Sequence, residues 1–89
     1  AIDSRLPMYY FAKKTLAKPS DWKRRLERMK RQYIKEHYDD RDGLKVGFPD
    51  GWILARGSNT EEIVRITAEA KTPARAKALL AEALKVLGF

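Results

Sequence analysis

Two short apolar runs joined by turn-forming residues constrain the fold of this chain more than any other feature. From Leu44 to Phe48, large apolar residues alternate with lysine and glycine, which is the period of two of a strand with one buried face. Pro49-Asp50-Gly51 then supplies residue types that favour a tight turn, and Trp52 to Ala55 is again apolar. We therefore predict that the two runs pair as a hairpin, with Asp42-Gly43 opening its first strand.

Two further runs have the composition of strands. Met8 to Ala12 is rich in aromatic residues and continues into a mixed segment that ends at Lys18. Ile63 to Glu69 alternates between small or branched apolar residues and Arg, Thr and Glu, so one side of this strand is expected to be buried. Residues 1–7 are predicted to be an incoming linker, and residues 8–89 the domain.

Two segments have helical periodicity. The first begins at Ser20, a predicted N-cap, and extends to about His37. Its apolar face consists of Trp22, Leu26, Met29 and Tyr33. The second begins at Thr72-Pro73 and ends at Gly88. Its buried stripe is expected to contain Ala76, Leu79, Leu80, Ala83, Leu84 and Leu87. The order β-α-β-β-β-α predicts an α+β fold, with a four-stranded, mainly antiparallel sheet and two helices packed on one face.

The composition argues against several classes of protein. The chain has no cysteine, which excludes a disulfide framework and a thiolate metal site and permits a reducing cytoplasm. Its apolar runs are far shorter than the ~20 residues of a membrane helix, and no signal-peptide pattern opens the chain, so we expect a soluble, cytoplasmic protein. His37, the single histidine, is expected to be a solvated cation at a helix end. Asp39, Asp40 and Asp42 fit a helix exit and a turn better than a metal site.

The segment from Arg56 to Glu61 concentrates donors for an anion between two predicted strands. Arginine offers a planar fork for two phosphate oxygens, and the hydroxyls of Ser58 and Thr60 can donate to others. Gly57 allows the backbone to approach closely. The segment therefore predicts a phosphate-binding loop.

This loop and its surroundings resemble the C-terminal domain of the α-D-phosphohexomutases, the phosphomannomutase/phosphoglucomutase family. The resemblance is carried by Phe48 to Trp52, Arg56 to Glu61, Arg65 and Glu69-Ala70. It implies a TBP-like arrangement of the sheet and helices. In the family, a phosphoserine in another domain donates its phosphoryl group to a hexose phosphate, and the fourth domain holds the phosphate that is not being transferred.

The resemblance also implies which residues of this chain bind the substrate phosphate. They are Arg56, Gly57, Ser58, Asn59, Thr60 and Arg65. No catalytic residue, metal or cofactor is expected in this domain, whereas Mg²⁺ and a hexose 1,6-bisphosphate are implied for the parent enzyme. The expected partners are the hexose phosphate and the parent's other domains, and the isolated domain is expected to be inactive.

The chain departs from the family pattern at one position and follows one branch of it at another. Glu62 stands where the family commonly has proline after the glutamate, which is expected to loosen the loop's exit. Asn59 stands where phosphoglucosamine mutases and several phosphoglucomutases usually have glycine, and this favours the phosphomannomutase/phosphoglucomutase branch.

A small basic nucleic-acid-binding module is the alternative from another class. The net charge of +7 is the observation that suggests this alternative, but much of the charge lies between Lys23 and Lys35, on the polar side of a predicted helix. The aromatic residues of Met8 to Phe11 are consecutive and so point to both faces of a strand, unlike a stacking platform. A purely structural domain would leave the loop from Arg56 unexplained.

Two side chains near the loop have more than one interpretation. Arg65 either reaches the same anion from the facing strand or pairs with Glu69 on its own strand. Trp52 either packs inside the domain or lines a cleft, and we expect it to pack.

Overall fold

The computed structural model describes residues 10–39, 43–58 and 60–89. The described residues form seven elements: β1 (Tyr10–Ala17), α1 (Trp22–Gln32), β2 (His37–Asp39), β3 (Leu44–Phe48), β4 (Gly51–Gly57), β5 (Ile63–Ala70) and α2 (Pro73–Leu87). The strands form one sheet in the order β1-β5-β4-β3-β2, and every neighbouring pair is antiparallel. The predicted linker and the predicted strand start at Met8 lie outside the described residues.

The predicted hairpin is confirmed by the pairing of β3 with β4. Phe48 lies opposite Gly51 at the turn, and Leu44 lies opposite Ala55 at the far end. Pro49 and Asp50 make the connection. Gly43 precedes β3 with a φ of 95°, a left-handed conformation that glycine adopts without a steric cost.

The sheet has one strand more than the four predicted, and α1 is shorter than predicted. The helix ends at Gln32 and not near His37. Ile34 is 58% exposed, so the apolar face of the helix does not continue past Tyr33. His37–Asp39 instead forms β2 along the outer edge of β3, where it pairs with backbone groups that would otherwise face solvent. Three residues are too few to show a periodicity, and His37 lies in an edge strand instead of at a helix end.

The first helix begins one residue later than predicted. Asp21, and not Ser20, occupies the N-cap position, and its side chain caps no backbone amide. The Asp21 carboxylate instead accepts a hydrogen bond of 2.8 Å from Nε of Arg25, one turn along the helix. This hydrogen bond lowers the pKa of Asp21.

The ends of α2 match the sequence prediction. The Thr72 hydroxyl accepts a hydrogen bond of 3.1 Å from the Arg75 amide, so Thr72 is the N-cap. Pro73 begins the helix, where its missing amide hydrogen costs no intrahelical bond. Gly88 ends it in the left-handed conformation, with a φ of 85°. Neither helix of the described residues is long and apolar enough to span a membrane.

Both helices pack on the same face of the sheet. Their buried side chains join alternate residues of β3, β4 and β5 in one core. The core contains Trp22, Met29, Tyr33, Leu44, Val46, Ile53, Ala55, Val64, Ile66, Ala68, Ala70, Ala76, Leu79, Ala83 and Leu87. The opposite face, which we call the open face, is covered by neither helix. It presents Phe11, Lys13, Thr15, Lys45, Trp52, Leu54, Arg56, Arg65, Thr67 and Glu69.

Candidate functional site

A groove of about 250 Å³ lies on the open face at the end of β4 and the start of β5. It is lined by Leu54, Arg56, Gly57, Ser58, Arg65 and Thr67. Four of the six residues implied by the resemblance therefore meet in one place. Thr60 is exposed on the adjoining loop, and Asn59 lies outside the described residues. We call the connection between Gly57 and Ile63 the groove loop.

Two arginines dominate the charge of the groove. Arg56 of β4 and Arg65 of β5 are direct partners in the antiparallel register, and both side chains are exposed on the open face. Residues opposite each other in such a pair have Cβ atoms about 4.5–5.5 Å apart, so their guanidinium groups share one neighbourhood. Like charges in this position repel each other, and an anion between them would be attracted by both.

The geometry argues against the alternative in which Arg65 pairs with Glu69. Four residues of extended strand separate the two α-carbons by about 13 Å. Glu69 lies opposite Trp52 and Phe11 in the register and is only 6% exposed. No ion pair joins Arg65 to Glu69 in the part of the chain that the structure describes. Arg65 is therefore directed to the groove.

The Ser58 hydroxyl organises the groove loop. Its Oγ accepts hydrogen bonds from the amides of Thr60 and Glu61, each 3.2 Å long, and lies 3.4 Å from Oγ1 of Thr60. The Ser58 amide donates to the Ile63 carbonyl at 3.0 Å, which closes the loop. Because the two amides use the acceptor capacity of Oγ, the hydroxyl hydrogen is left to donate to Thr60 or to a ligand.

Gly57 has a close neighbour that the sequence did not indicate. It pairs with Val64, which is fully buried, so position 57 faces the helices and not the groove. A Cβ atom at this position would lie 3.3 Å from Nε1 of Trp22. The backbone of Gly57 lines the groove, but the missing side chain makes room for the indole of α1.

The floor of the groove was not predicted from the sequence. Leu54 and Thr67 are partners in the register and are both partly buried, so they present an apolar surface and a hydroxyl between the arginines and the middle of the sheet. Their positions follow from the alternation of β4 and β5 once the strands are paired. Thr67 lies two residues after Arg65 and so shares its face.

An aromatic cluster occupies the open face beyond this floor. The rings of Phe11 and Trp52 meet edge to face at 6.3 Å, and the buried Glu69 is the register partner of both residues. Nζ of Lys45 lies 4.7 Å from the centre of the Trp52 ring, within cation–π range. Trp52 therefore packs against Phe11 and Lys45 on the open face and not in the core beneath the helices, so the expectation that it packs inside the domain was wrong.

Comparison with known proteins identifies the domain. Residues 14–86 match the family model described as "Phosphoglucomutase/phosphomannomutase, C-terminal domain". The chain is 34% identical over 87 residues to a probable phosphoglucosamine mutase of Methanopyrus kandleri. This alignment covers 94% of the chain and 19% of that protein. It is 38% identical over 84 residues to a phosphoglucomutase/phosphomannomutase of Thermococcus kodakarensis, with coverage of 92% and 18%.

A solved structure gives the same result for the fold. The crystal structure of a phosphoglucomutase/phosphomannomutase family protein from Burkholderia thailandensis superposes with a TM-score of 0.63 at 27% identity, over 92% of this chain and 18% of that one. The chain thus spans about a fifth of the length of these relatives. It belongs to the phosphoglucomutase/phosphomannomutase family and corresponds to that family's C-terminal domain.

Proposed function

We propose that this chain is the part of a phosphohexomutase that holds the non-transferred phosphate of a hexose 1- or 6-phosphate, in the groove between β4 and β5. The cross-strand pairing of Arg56 with Arg65 beside the groove loop carries the proposal. Each guanidinium can make charge-assisted hydrogen bonds to phosphate oxygens, and a dianion between the two turns their repulsion into two attractions. The Ser58 hydroxyl hydrogen adds a neutral donor at the rim.

The size of the groove favours a phosphate group over a whole sugar. Pockets that enclose a small molecule usually measure about 300–1,000 Å³, and this groove has about 250 Å³ and lies open on a sheet. A mutase whose bisphosphate turns around between two transfers must accept the sugar in two orientations. A site that grips the phosphate by charge and contacts little of the sugar meets this requirement.

In this proposal the groove binds the phosphate and does not take part in its transfer. Its described lining includes no carboxylate, imidazole or other group that would act as a general acid or base near neutral pH. The described residues also include no group of three His, Cys, Asp or Glu side chains that could hold a metal ion, so we assign none of them to the Mg²⁺ of the parent enzyme. The transfer step, the phosphoserine and the metal belong to other domains in this proposal.

Replacing Arg56 in the parent mutase tests the proposal. A hydrogen bond to a charged group contributes roughly 1.5–3 kcal/mol, so Arg56→Ala is expected to lower kcat/KM by about one to two orders of magnitude. Arg24→Ala removes an exposed charge from α1 and is expected to leave kcat/KM unchanged. Wild-type kinetics in a well-folded Arg56→Ala enzyme would overturn the proposal.

The nucleic-acid alternative is weaker than the mutase proposal. Phe11 is 56% exposed on the open face, but its ring meets that of Trp52 edge to face at an interplanar angle of 78°, so the two rings do not form one flat stacking platform. A steeply salt-dependent affinity of the chain for RNA or DNA would favour this alternative.

A further inference from the structure

We infer that Trp22 is a positioning residue for the phosphate site, because it packs under Gly57 at the start of the groove loop. The inference rests on the proposed function of the groove. Trp22 is the first residue of α1 and is only 6% exposed, and it does not line the groove itself. It would act on the phosphate through the backbone that carries Arg56 and Ser58.

The contact between Trp22 and Gly57 is close and directional. The Cβ of any other residue at position 57 would lie 3.3 Å from Nε1 and 3.7 Å from Cδ1 of the indole. The former distance is tighter than ordinary van der Waals contact, so the indole or the strand would have to move. The two residues next to Gly57 on the chain are Arg56 and Ser58, and a shift of the backbone here would move both.

The same part of the chain holds the other end of the groove loop. The amide of Lys18, between β1 and α1, donates a hydrogen bond of 2.9 Å to the carbonyl of Glu62. The Lys18 side chain also approaches Gly57, since its Cε lies 3.9 Å from the Cβ position there. The connection from β1 to α1 therefore supports the loop at its start, through Trp22, and at its end, through Lys18.

Trp22 is in turn fixed by the C-terminal end of α2. Its ring lies 6.4 Å from that of Phe89, centre to centre. Arg25 donates hydrogen bonds to the carbonyls of Leu87 at 3.1 Å and Gly88 at 3.2 Å, and its guanidinium lies 5.2 Å from the Phe89 ring. The indole thus lies between Phe89 at the end of the chain and Gly57 at the start of the groove loop, which is the placement that a positioning role requires.

Measurements on the 89-residue chain can separate positioning from simple core packing. The variants are Trp22→Leu, Gly57→Ala and the double variant, with Met29→Ala as control. Met29 is fully buried on the same helix but seven residues on, about 10 Å along the axis. Two readouts are recorded at a temperature where all variants are folded: the dissociation constant of inorganic phosphate, and hydrogen exchange of the Ser58 amide without phosphate.

Positioning predicts that Trp22→Leu weakens phosphate binding at least about threefold more than Met29→Ala and speeds exchange at Ser58. It also predicts that the two changes are coupled. Gly57→Ala should weaken phosphate binding in the wild-type chain but have a smaller effect in the Trp22→Leu variant, because leucine makes room for the new methyl group. The two effects of Gly57→Ala should differ by about threefold, which is typical of residues in contact. Trp22→Phe replaces Trp22→Leu if the latter does not fold.

Equal effects of Trp22→Leu and Met29→Ala on both readouts, with additive effects of the Gly57 change, would overturn the inference. A chain that binds no phosphate at the groove, but in which Trp22→Leu alone speeds exchange at Ser58, would refute the proposed function and leave the positioning of the loop by Trp22 intact.

Discussion

Arg56 and Arg65 are cross-strand partners at the end of the sheet, with both side chains on the face that the helices leave open. Two like charges opposite each other in an antiparallel pair lower stability. Under the proposed function, the same arrangement would offer a phosphate two convergent guanidinium groups. The proposed binding function therefore opposes the stability of the fold at this position, and this conflict can be measured.

Removing one charge of this pair should stabilise the chain and weaken phosphate binding. We expect Arg65→Gln to raise the free energy of unfolding by about 0.2–1 kcal/mol, the range for cross-strand pairs. The gain should shrink at high salt, because exposed charges are screened beyond ~8–10 Å. Urea unfolding at low and high salt measures this, and phosphate titration of the same variant should show weaker binding.

Lys13→Gln is the matched control for this prediction. Lys13 is also exposed on the open face, but its register partner is Thr67 and not an arginine. Lys13→Gln removes one positive charge, as Arg65→Gln does, and should leave the free energy of unfolding within about 0.5 kcal/mol of wild type, as surface changes usually do. An equal gain in both variants would mean that net charge, and not the pair, is responsible.

A second prediction concerns Glu62, the position at which the resemblance led us to expect proline. The Glu62 side chain is exposed, and its amide donates no hydrogen bond to any described residue. Glu62→Pro should therefore raise the free energy of unfolding by roughly 0.4–1 kcal/mol, provided that the backbone angle suits proline, and should tighten phosphate binding. Glu62→Gln should reproduce only the effect of the lost charge, which high salt reduces.

Glu61→Pro is the opposing control. The Glu61 amide donates a hydrogen bond of 3.2 Å to Oγ of Ser58, and proline would remove it, so this variant should be less stable and bind phosphate more weakly. Weaker phosphate binding in both Glu62→Pro and Glu62→Gln would show that Glu62 supports the loop, and the account of this position would be wrong.

A third prediction concerns the contact between the helices and its pH dependence. The buried phenol of Tyr33 donates a hydrogen bond of 2.6 Å to Oε2 of Glu82. Burial, together with this bond and the Glu82 charge, raises the pKa of Tyr33. Tyr33→Phe should lower the free energy of unfolding by about 1 kcal/mol near neutral pH. Tyr33 contributes its full stabilisation at pH values below about 10, the pKa of tyrosine in the unfolded chain. This stabilisation is lost as the pH rises further, because the unfolded chain releases the phenol proton at a lower pH than the folded chain does.

Unfolding of wild type and Tyr33→Phe between pH 7 and 11, with Tyr38→Phe as control, measures this contribution. Tyr38 is only partly buried and its hydroxyl makes no hydrogen bond to a described residue. The difference between wild type and Tyr33→Phe should narrow above about pH 10. A difference that stays constant through this range would contradict the assignment.

Local sequence patterns predicted the hairpin and the ends of α2 because these depend on residues close together in the chain. The turn after Phe48, the cap at Thr72 and the left-handed Gly88 each follow from the chemistry of one or two residues. The strand at His37–Asp39 was not predicted, because three residues are too few to show an alternation of apolar and polar residues. Its pairing with β3 depends on tertiary structure. The N-cap was placed at Ser20 and lies at Asp21, whose carboxylate instead pairs with Arg25.

Only part of the candidate site could likewise be predicted from the sequence. The composition of the loop from Arg56 predicted the donors of the proposed site, but the place of Thr67 in the floor of the groove depends on the register of β4 with β5. The neighbour of Gly57 could not be inferred, because Trp22 lies 35 positions away in the sequence and reaches the glycine only when α1 packs on the sheet. The sequence alone also did not show whether the Arg65 side chain lies at the groove or beside Glu69. The pairing of β4 with β5 places it at the groove.

The most direct test of the central claim is an NMR titration of the 89-residue chain with inorganic phosphate and with glucose 1-phosphate. A few donors must offset an association cost of at least ~4 kcal/mol without other sugar-binding domains, so we expect affinity no better than roughly millimolar, about −4 kcal/mol. The account predicts amide shifts centred on Arg56, Ser58 and Arg65 that Arg56→Ala abolishes. Micromolar binding, or shifts confined to the basic residues of α1 between Lys23 and Arg31, would contradict it.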